Sequence, residues 1–202
     1  MLLLSSVGIP GAAETLADAF TGSEIMEYLF PDESRRYRDV KTLFSFLTRY
    51  GVENGEVWVT GNTEGVAVWF PPSDSSMSPL RMIKAGAIKT GFSIPFTSLV
   101  RTLRFSSFTN SLKKKSFKEE GWYLASLGVR KESQGKGFGS SLVQYFLKNR
   151  AGAYHAYLET TTDKNIWFYK RLGFIETETG KLGEPGINIT EMAHRPIHKE
   201  TV

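Results

Sequence analysis

The feature that most constrains this chain is a glycine-rich stretch at residues 134–139, which reads Gln-Gly-Lys-Gly-Phe-Gly. It lies between a predicted strand, Trp122 to Val129, and a predicted helix, Ser140 to Arg150, whose apolar residues recur at helical spacing. Glycine lets the backbone approach an anion closely, and the N–H groups at a helix N-terminus attract negative charge. The stretch alone is compatible with a phosphate-binding turn or with a tight connection, so the surrounding residues have to decide.

Composition narrows the class of protein. The 202 residues fit one domain, residues 1–202, and the proportions of apolar (41%) and charged (23%) residues are typical of a globular protein. The chain has no cysteine, which excludes disulfides, thiolate metal sites and a cysteine nucleophile. We therefore expect a cytoplasmic protein. The apolar residues Met1 to Leu4 lack a basic flank and are too few for a signal or membrane segment, so we expect no membrane partner.

Periodicity predicts the remaining elements. Apolar residues at helical spacing predict helices at Ala12–Phe20, Asp32–Tyr50, with Asp32 as N-cap, and Asn165–Leu172. β-Branched and aromatic runs predict strands at Val57–Thr60, Gly65–Phe70, Tyr154–Thr160, from Phe174 onward, and at Ile187–Met192. A segment at about 78–120 is predicted to be a helical insert that is interrupted at Pro95.

Two nucleotide-binding patterns fit the glycine-rich stretch poorly. A Walker A loop ends in Gly-Lys-Ser/Thr, which is absent. A dinucleotide fingerprint would use Glu159 as its ribose-binding acid, but Ser140 stands where that fingerprint has its third glycine. The polar run 130–134 also separates the strand from the glycines, and no alternating βαβ series surrounds it. We therefore expect no nicotinamide cofactor.

The sequence from Leu127 to Gly139 resembles motif A of the GCN5-related N-acetyltransferase (GNAT) superfamily, whose pyrophosphate loop has the pattern Gln/Arg-x-x-Gly-x-Gly/Ala. Lys131 replaces a proline that is frequent there. Residues further along the chain are similar to motif B in order and distance: Tyr157-Leu158-Glu159-Thr160, Asn165, Phe168-Tyr169 and Leu172-Gly173-Phe174. One departure is that Asn165 precedes Tyr169 by four residues, where the family spacing is commonly longer.

The resemblance implies an α/β fold with a mixed, mostly antiparallel central sheet flanked by helices. It also implies an acyltransferase that moves an acetyl group from acetyl-coenzyme A directly to a primary amine, through a tetrahedral intermediate. Gly128 inside a strand predicts a β-bulge, which in this family separates two parallel strands around the pantetheine arm of the coenzyme. The residues that the resemblance assigns to the coenzyme are Leu127, Val129, Gln134, Gly135, Lys136, Gly137, Phe138, Gly139, Ser140 and Asn165.

Two residues are candidates for proton transfer. Attack on a thioester requires a neutral amine, and an alkylammonium with a pKa of about 10.4 must first lose a proton. Glu159, at a strand end, is the candidate base, although it is equally compatible with a surface or salt-bridged glutamate. Tyr169 matches the family's usual acid, which would protonate the leaving thiolate; its alternative role is packing.

The expected partner is a small-molecule or peptide amine. A homodimer is one assembly that we consider. We expect no metal, because His155, His194 and His198 have no ligand spacing. The basic stretch from Arg101 to Lys118 is interpreted as a solvated face, so nucleic-acid binding is not expected. Four features have two interpretations, as part of the core or as walls of the acceptor site: Trp69, Phe70, Trp122 and the insert. The alternative function is a non-catalytic acyl-CoA sensor or interaction module on the same fold.

Overall fold

A computed structural model of the protein describes residues 1–116, 120–184 and 186–196. Lys118 and His198, named above, lie outside the described residues. The strands are β1 Leu2–Leu3, β2 Glu56–Val59, β3 Gly65–Phe70, β4 Gly121–Val129, β5 His155–Thr160, β6 Ile175–Leu182 and β7 Ile187–His194. The α-helices are α1 Ile9–Phe20, α2 Glu24–Leu29, α3 Glu33–Asn54, α4 Pro79–Lys84, α5 Ala87–Ser93, α6 Phe96–Ser116, α7 Phe138–Asn149 and α8 Asp163–Lys170.

Local signals explain where several helices begin. Asp32 caps α3 as predicted, because its Oδ1 accepts a hydrogen bond from the Ser34 N–H at 3.0 Å. Helix α5 ends at Ser93 and α6 begins at Phe96, directly after Pro95, so the predicted interruption of the helical segment at Pro95 is confirmed. Helix α2 was missed by the sequence analysis, since six residues span too few turns for periodicity to be read. Its cap is Ser23, whose side chain accepts a hydrogen bond from the Met26 N–H.

The strands form one sheet in the order β1-β2-β3-β4-β5-β7-β6. Every neighbouring pair is antiparallel except β4 and β5, which are parallel. The predicted fold class, a mostly antiparallel mixed sheet flanked by helices, is therefore confirmed. The parallel pair is short, because its register runs only from Gly121 opposite His155 to Tyr123 opposite Tyr157.

The predicted β-bulge at Gly128 is wrong. The register between β3 and β4 shifts where Val68 pairs with Ser126 and Trp69 with Leu124, which leaves Ala125 as the extra residue. Gly128 pairs regularly with Val66, and a glycine is needed at this position for packing rather than for a bulge. A Cβ at this position would lie 2.9 Å from Leu16 Cδ2, so glycine allows α1 to pack closely against β4.

Two apolar cores cover the two faces of the sheet. Helices α1, α2, α3 and α6 contribute to one core, and α7 and α8 contribute to the other. Trp69 is fully buried in the second core, where its ring stacks on Phe146 at 3.9 Å between centroids. Trp122 contacts the same phenylalanine edge-on, so both tryptophans belong to the core.

The segment between β3 and β4 contains the helices α4, α5 and α6. Helix α6 lies against α2, β6 and β7, and Arg101 donates a hydrogen bond to the Tyr28 carbonyl at 2.6 Å. The interpretation of this basic stretch as a solvated face is therefore wrong for Arg101.

In the parts of the chain that the structure describes, no helix has the length and apolar character needed to cross a membrane.

Replacing Gly128 with alanine should destabilise the fold by about 1–3 kcal/mol, because the added Cβ would crowd Leu16 and lie 3.1 Å from the Ala19 Cβ. The midpoint of urea unfolding measures the loss. Gly11→Ala on α1 is the matched control, since a Cβ there meets nothing within 4 Å and alanine is favoured over glycine inside a helix. An unchanged midpoint for Gly128→Ala would contradict the close approach of α1 to β4.

Candidate active site

The site begins where β4 and β5 separate. Their pairing ends at Tyr123 and Tyr157, but β4 continues to Val129. The Arg130 N–H donates to the Glu64 carbonyl at 2.8 Å, and the direction of backbone groups alternates along an antiparallel strand. Leu127 and Val129 therefore direct their main-chain groups away from β3 and into the gap. Main-chain groups in such a gap can pair with an extended amide-containing ligand.

The glycine-rich turn closes one end of this gap. Gly135 has φ of +78° and Gly137 has φ of +84°, a left-handed conformation that side chains with a Cβ rarely adopt. Gly137 is the N-cap of α7, and no side chain caps the N–H groups of the first helical turn. Gln134 Nε2 donates to the Val129 carbonyl at 3.1 Å, which ties the turn to the strand end. This arrangement suits a phosphate or pyrophosphate group.

A cavity of about 760 Å³ runs from the glycine-rich turn along the gap to α6. The two predicted proton-transfer residues, Glu159 and Tyr169, both line it. Lys136, which was predicted to bind the coenzyme, is exposed and does not line the cavity. The other residues predicted to bind the coenzyme all line it: Leu127, Val129, Gln134, Gly135, Gly137, Phe138, Gly139, Ser140 and Asn165.

Of the described residues, Glu159 is one of two glutamates that line the cavity. Burial raises its pKa to about 7; the hydroxyl of Tyr123, which donates a hydrogen bond to Oε1, opposes the rise, and the neighbouring Glu191 adds to it. Glu191 is the cross-strand partner of Glu159 and is only 4% exposed. Burial and the Glu159 charge raise the pKa of Tyr123 well above its ordinary value, so Tyr123 acts as a donor. A carboxyl group with a pKa near neutrality can accept and release a proton at physiological pH.

Tyr169 lies on α8 and lines the same cavity as Glu159. The helix is held at its start by Thr162, whose Oγ1 accepts a hydrogen bond from the Asn165 N–H at 3.3 Å. Burial, followed by the charge of Glu159, raises the pKa of the Tyr169 phenol. Its proton is therefore retained at neutral pH, which suits a proton donor.

Lys113 of α6 also enters the cavity. Its Nζ donates to Ser75 Oγ at 2.8 Å and lies 4.4 Å from the centroid of the Tyr157 ring. Burial lowers the pKa of Lys113, while the carboxylates of Glu191 and Glu159 oppose that change. Its interpretation as part of a solvated face is therefore wrong.

The sequence contained signals for two of the residues that were missed. Glu191 follows Ile187 and Ile189 at alternate positions of β7, which places an acid on an apolar face. Lys113 follows Leu112 on a helix whose Phe105 and Phe108 point into the core. Tyr123 had no comparable signal, because its contact with Glu159 depends on the separation of the strands.

A metal site requires a group of side chains that could ligate the ion. In the described ranges, 1–116, 120–184 and 186–196, no three or more histidine, aspartate or glutamate side chains form a group that could hold a metal ion. The polar side chains that line the cavity include the carboxyl groups of Glu159 and Glu191, which are suited to proton transfer and to binding of an amine.

Comparisons with known proteins agree with this geometry. Residues 108–176 match the family model of the acetyltransferase (GNAT) domain. An uncharacterized N-acetyltransferase from Schizosaccharomyces pombe is 24% identical over 172 residues, which cover 81% of this chain and 69% of the relative.

Two solved structures share the fold. One is described as "histone acetyltransferase HPA2 and related acetyltransferase" from Corynebacterium glutamicum; it is 22% identical, with a TM-score of 0.65, and the match covers 100% of this chain and 97% of that one. The other is the polyamine N-acetyltransferase of Drosophila melanogaster, 16% identical, with a TM-score of 0.61 and coverage of 96% and 99%. Together with the matching motifs, these findings support the resemblance to the GCN5-related N-acetyltransferase superfamily and show that the chain shares its fold.

Proposed function

We propose that the protein is an acetyl-CoA-dependent N-acetyltransferase that acts on a primary amine. One observation carries the proposal: a single cavity joins the glycine-rich turn and the gap between β4 and β5 to a carboxyl group and a phenol, Glu159 and Tyr169. The turn suits a pyrophosphate, the gap suits an extended amide arm, and the two side chains suit proton transfer at the far end. This order matches the order of chemical groups along acetyl-coenzyme A.

The coenzyme end of the proposal uses main-chain groups. The N–H groups of the first turn of α7, from Phe138 to Ser140, would bind the pyrophosphate with help from the helix dipole. The main-chain groups of Leu127 and Val129 would pair with the pantetheine arm. Gln134 holds the strand end in place, and Asn165 supplies a polar side chain on the opposite side of the cavity.

The catalytic end divides proton transfer between two residues. Glu159 accepts a proton from the acceptor ammonium, and the free amine attacks the thioester carbonyl. A C–N bond forms and the C–S bond breaks. Tyr169 donates its proton to the leaving sulfur, and its phenolate then takes the surplus proton from the new amide nitrogen. Tyr123 keeps the Glu159 carboxyl group in position through its hydrogen bond.

The acceptor amine would enter from the side of α3 and α6. Beyond Glu159 the cavity wall is mostly apolar, with Phe44, Phe46 and Phe105 among its residues. An amine that carries an apolar or flexible body fits such a wall, and a peptide or a small molecule could present it. The Drosophila structure is described as an enzyme that forms N-acetylagmatine, so this fold accommodates acceptors of that kind.

Gly137→Val should abolish measurable coenzyme A binding, because valine strongly disfavours a φ of +84° and would displace the N–H groups at the start of α7. Titration calorimetry with coenzyme A measures the affinity, and circular dichroism verifies the fold. Gly152→Val is the matched control, since Gly152 also has positive φ, +62°, but lies outside the cavity. Equal affinities of folded Gly137→Val and wild type would refute the coenzyme assignment.

The pH dependence of the rate should report Glu159. As base it must be ionised, so kcat/KM for an accepted amine should rise through a pH of about 7 and level off above it. Glu159→Gln should lose roughly a hundredfold at pH 7 and regain part of it at high pH, where free amine is abundant. Tyr169→Phe should lose a similar factor at neutral pH, because it lacks the donor.

Glu178→Gln serves as the control for this series, since Glu178 lies on β6 and does not line the cavity. Its profile should match that of wild type. A Glu159→Gln enzyme with an unaltered rate and profile would remove Glu159 from the proton-transfer scheme.

A further inference from the structure

Three consecutive lysines end helix α6, and only one of them turns inward. Lys114 and Lys115 are exposed, whereas Lys113 is half-buried and lines the same cavity as Glu159 and Tyr169. A buried lysine loses hydration of its ammonium group, so its position requires compensating contacts. The structure provides these contacts within the cavity.

The surroundings of Lys113 have the chemistry of a site for a primary ammonium group. The Ser75 hydroxyl accepts a hydrogen bond from Nζ, and the face of Tyr157 lies against the cation. The carboxylates of Glu159 and Glu191 act on the same ammonium electrostatically. A hydroxyl, an aromatic face and carboxylates together would recognise any alkylammonium, and here the chain supplies one itself.

Glu159 links this lysine to the proposed chemistry. Its charge acts on both Lys113 and the Tyr169 phenol, and all three side chains line the same cavity. Burial lowers the pKa of Lys113, so removing its proton costs less than for an exposed lysine. Lys113 thus shares one cavity with the proposed base and the proposed acid, as an acetyl acceptor within the chain would have to.

We propose that Lys113 is a self-acetylation site, modified by the protein's own acetyl transfer. The inference rests on the proposed function, with acetyl-CoA as the donor. Glu159 takes a proton from the Lys113 ammonium, and Nζ attacks the thioester carbonyl of acetyl-CoA. A C–N bond forms, the C–S bond breaks, the thiolate of coenzyme A takes a proton from Tyr169, and the Tyr169 phenolate takes the surplus proton from the Lys113 nitrogen. The product is an amide at Lys113 and free coenzyme A.

Self-acetylation would change the acceptor end of the cavity. The amide carries no charge, so the carboxylates of Glu159 and Glu191 would lose a cation that now acts on them. A cationic acceptor would then meet these carboxylates without competition from Lys113. The modification is thus a means by which coenzyme supply could alter acceptor binding.

The test incubates the full-length chain with acetyl-CoA and maps the modified residues by tandem mass spectrometry. We expect one acetyl group per chain on Lys113, with Lys114 and Lys115 modified at least about tenfold less. Glu159→Gln should slow the reaction about a hundredfold, and Lys113→Arg should eliminate the added mass. Excess coenzyme A should slow the wild-type reaction by competition. Lys114 and Lys115 are internal controls because they lie on the same helix and are exposed.

Equal modification of the three lysines, or an unchanged rate in urea, would overturn the inference in favour of chemical acetylation. An unmodified Lys113 in a sample that acetylates an added amine would also overturn it and would leave the proposed function intact. Calorimetry on the same sample separates the remaining case: if coenzyme A does not bind, the proposed function and the inference both fail.

Discussion

The early end of the pairing between β4 and β5 is the constraint on which the rest of the site depends. Backbone groups in a sheet interior normally pair with the next strand, and leaving them unpaired away from water costs free energy. Here the last parallel pair is Tyr123 and Tyr157, whose rings stack at 5.0 Å between centroids. Beyond them β5 remains paired with β7, and the main-chain groups of Leu127 and Val129 on β4 face the gap. The cavity follows this gap.

The same separation sets the electrostatics of the cavity. Glu159 lies just past the last parallel pair, where it is removed from bulk water but contacts the Tyr123 hydroxyl. Burial holds its pKa near neutrality, and the Glu191 carboxylate on β7 adds to the effect. Burial has a different consequence at Tyr169, because it raises the pKa of the phenol and keeps the phenol protonated. The proposed proton acceptor and the proposed proton donor thus line the same cavity.

Local sequence signals predicted much of the fold. Asp32 marked the start of α3, Pro95 the break before α6, and the glycines at 135 and 137 the turn that does adopt positive φ. The sheet class followed from the resemblance and is confirmed. The roles of individual site residues remain predictions, although the structure brings all but Lys136 to one cavity.

The sequence could not provide features that depend on distant segments. The bulge lies at Ala125 because of the register between β3 and β4, whereas Gly128 is needed by the packing of α1. Lys113 turns inward because α6 lies over the sheet beside Ser75 and Tyr157, which are far away in the chain.

The most direct test of the account measures release of coenzyme A thiol from acetyl-CoA with polyamines, amino acids, amine antibiotics and peptide N-termini. The account predicts many turnovers per chain with at least one amine and an equal amount of acetylated product. Tight binding of coenzyme A without amine-dependent release would contradict it and indicate a sensor.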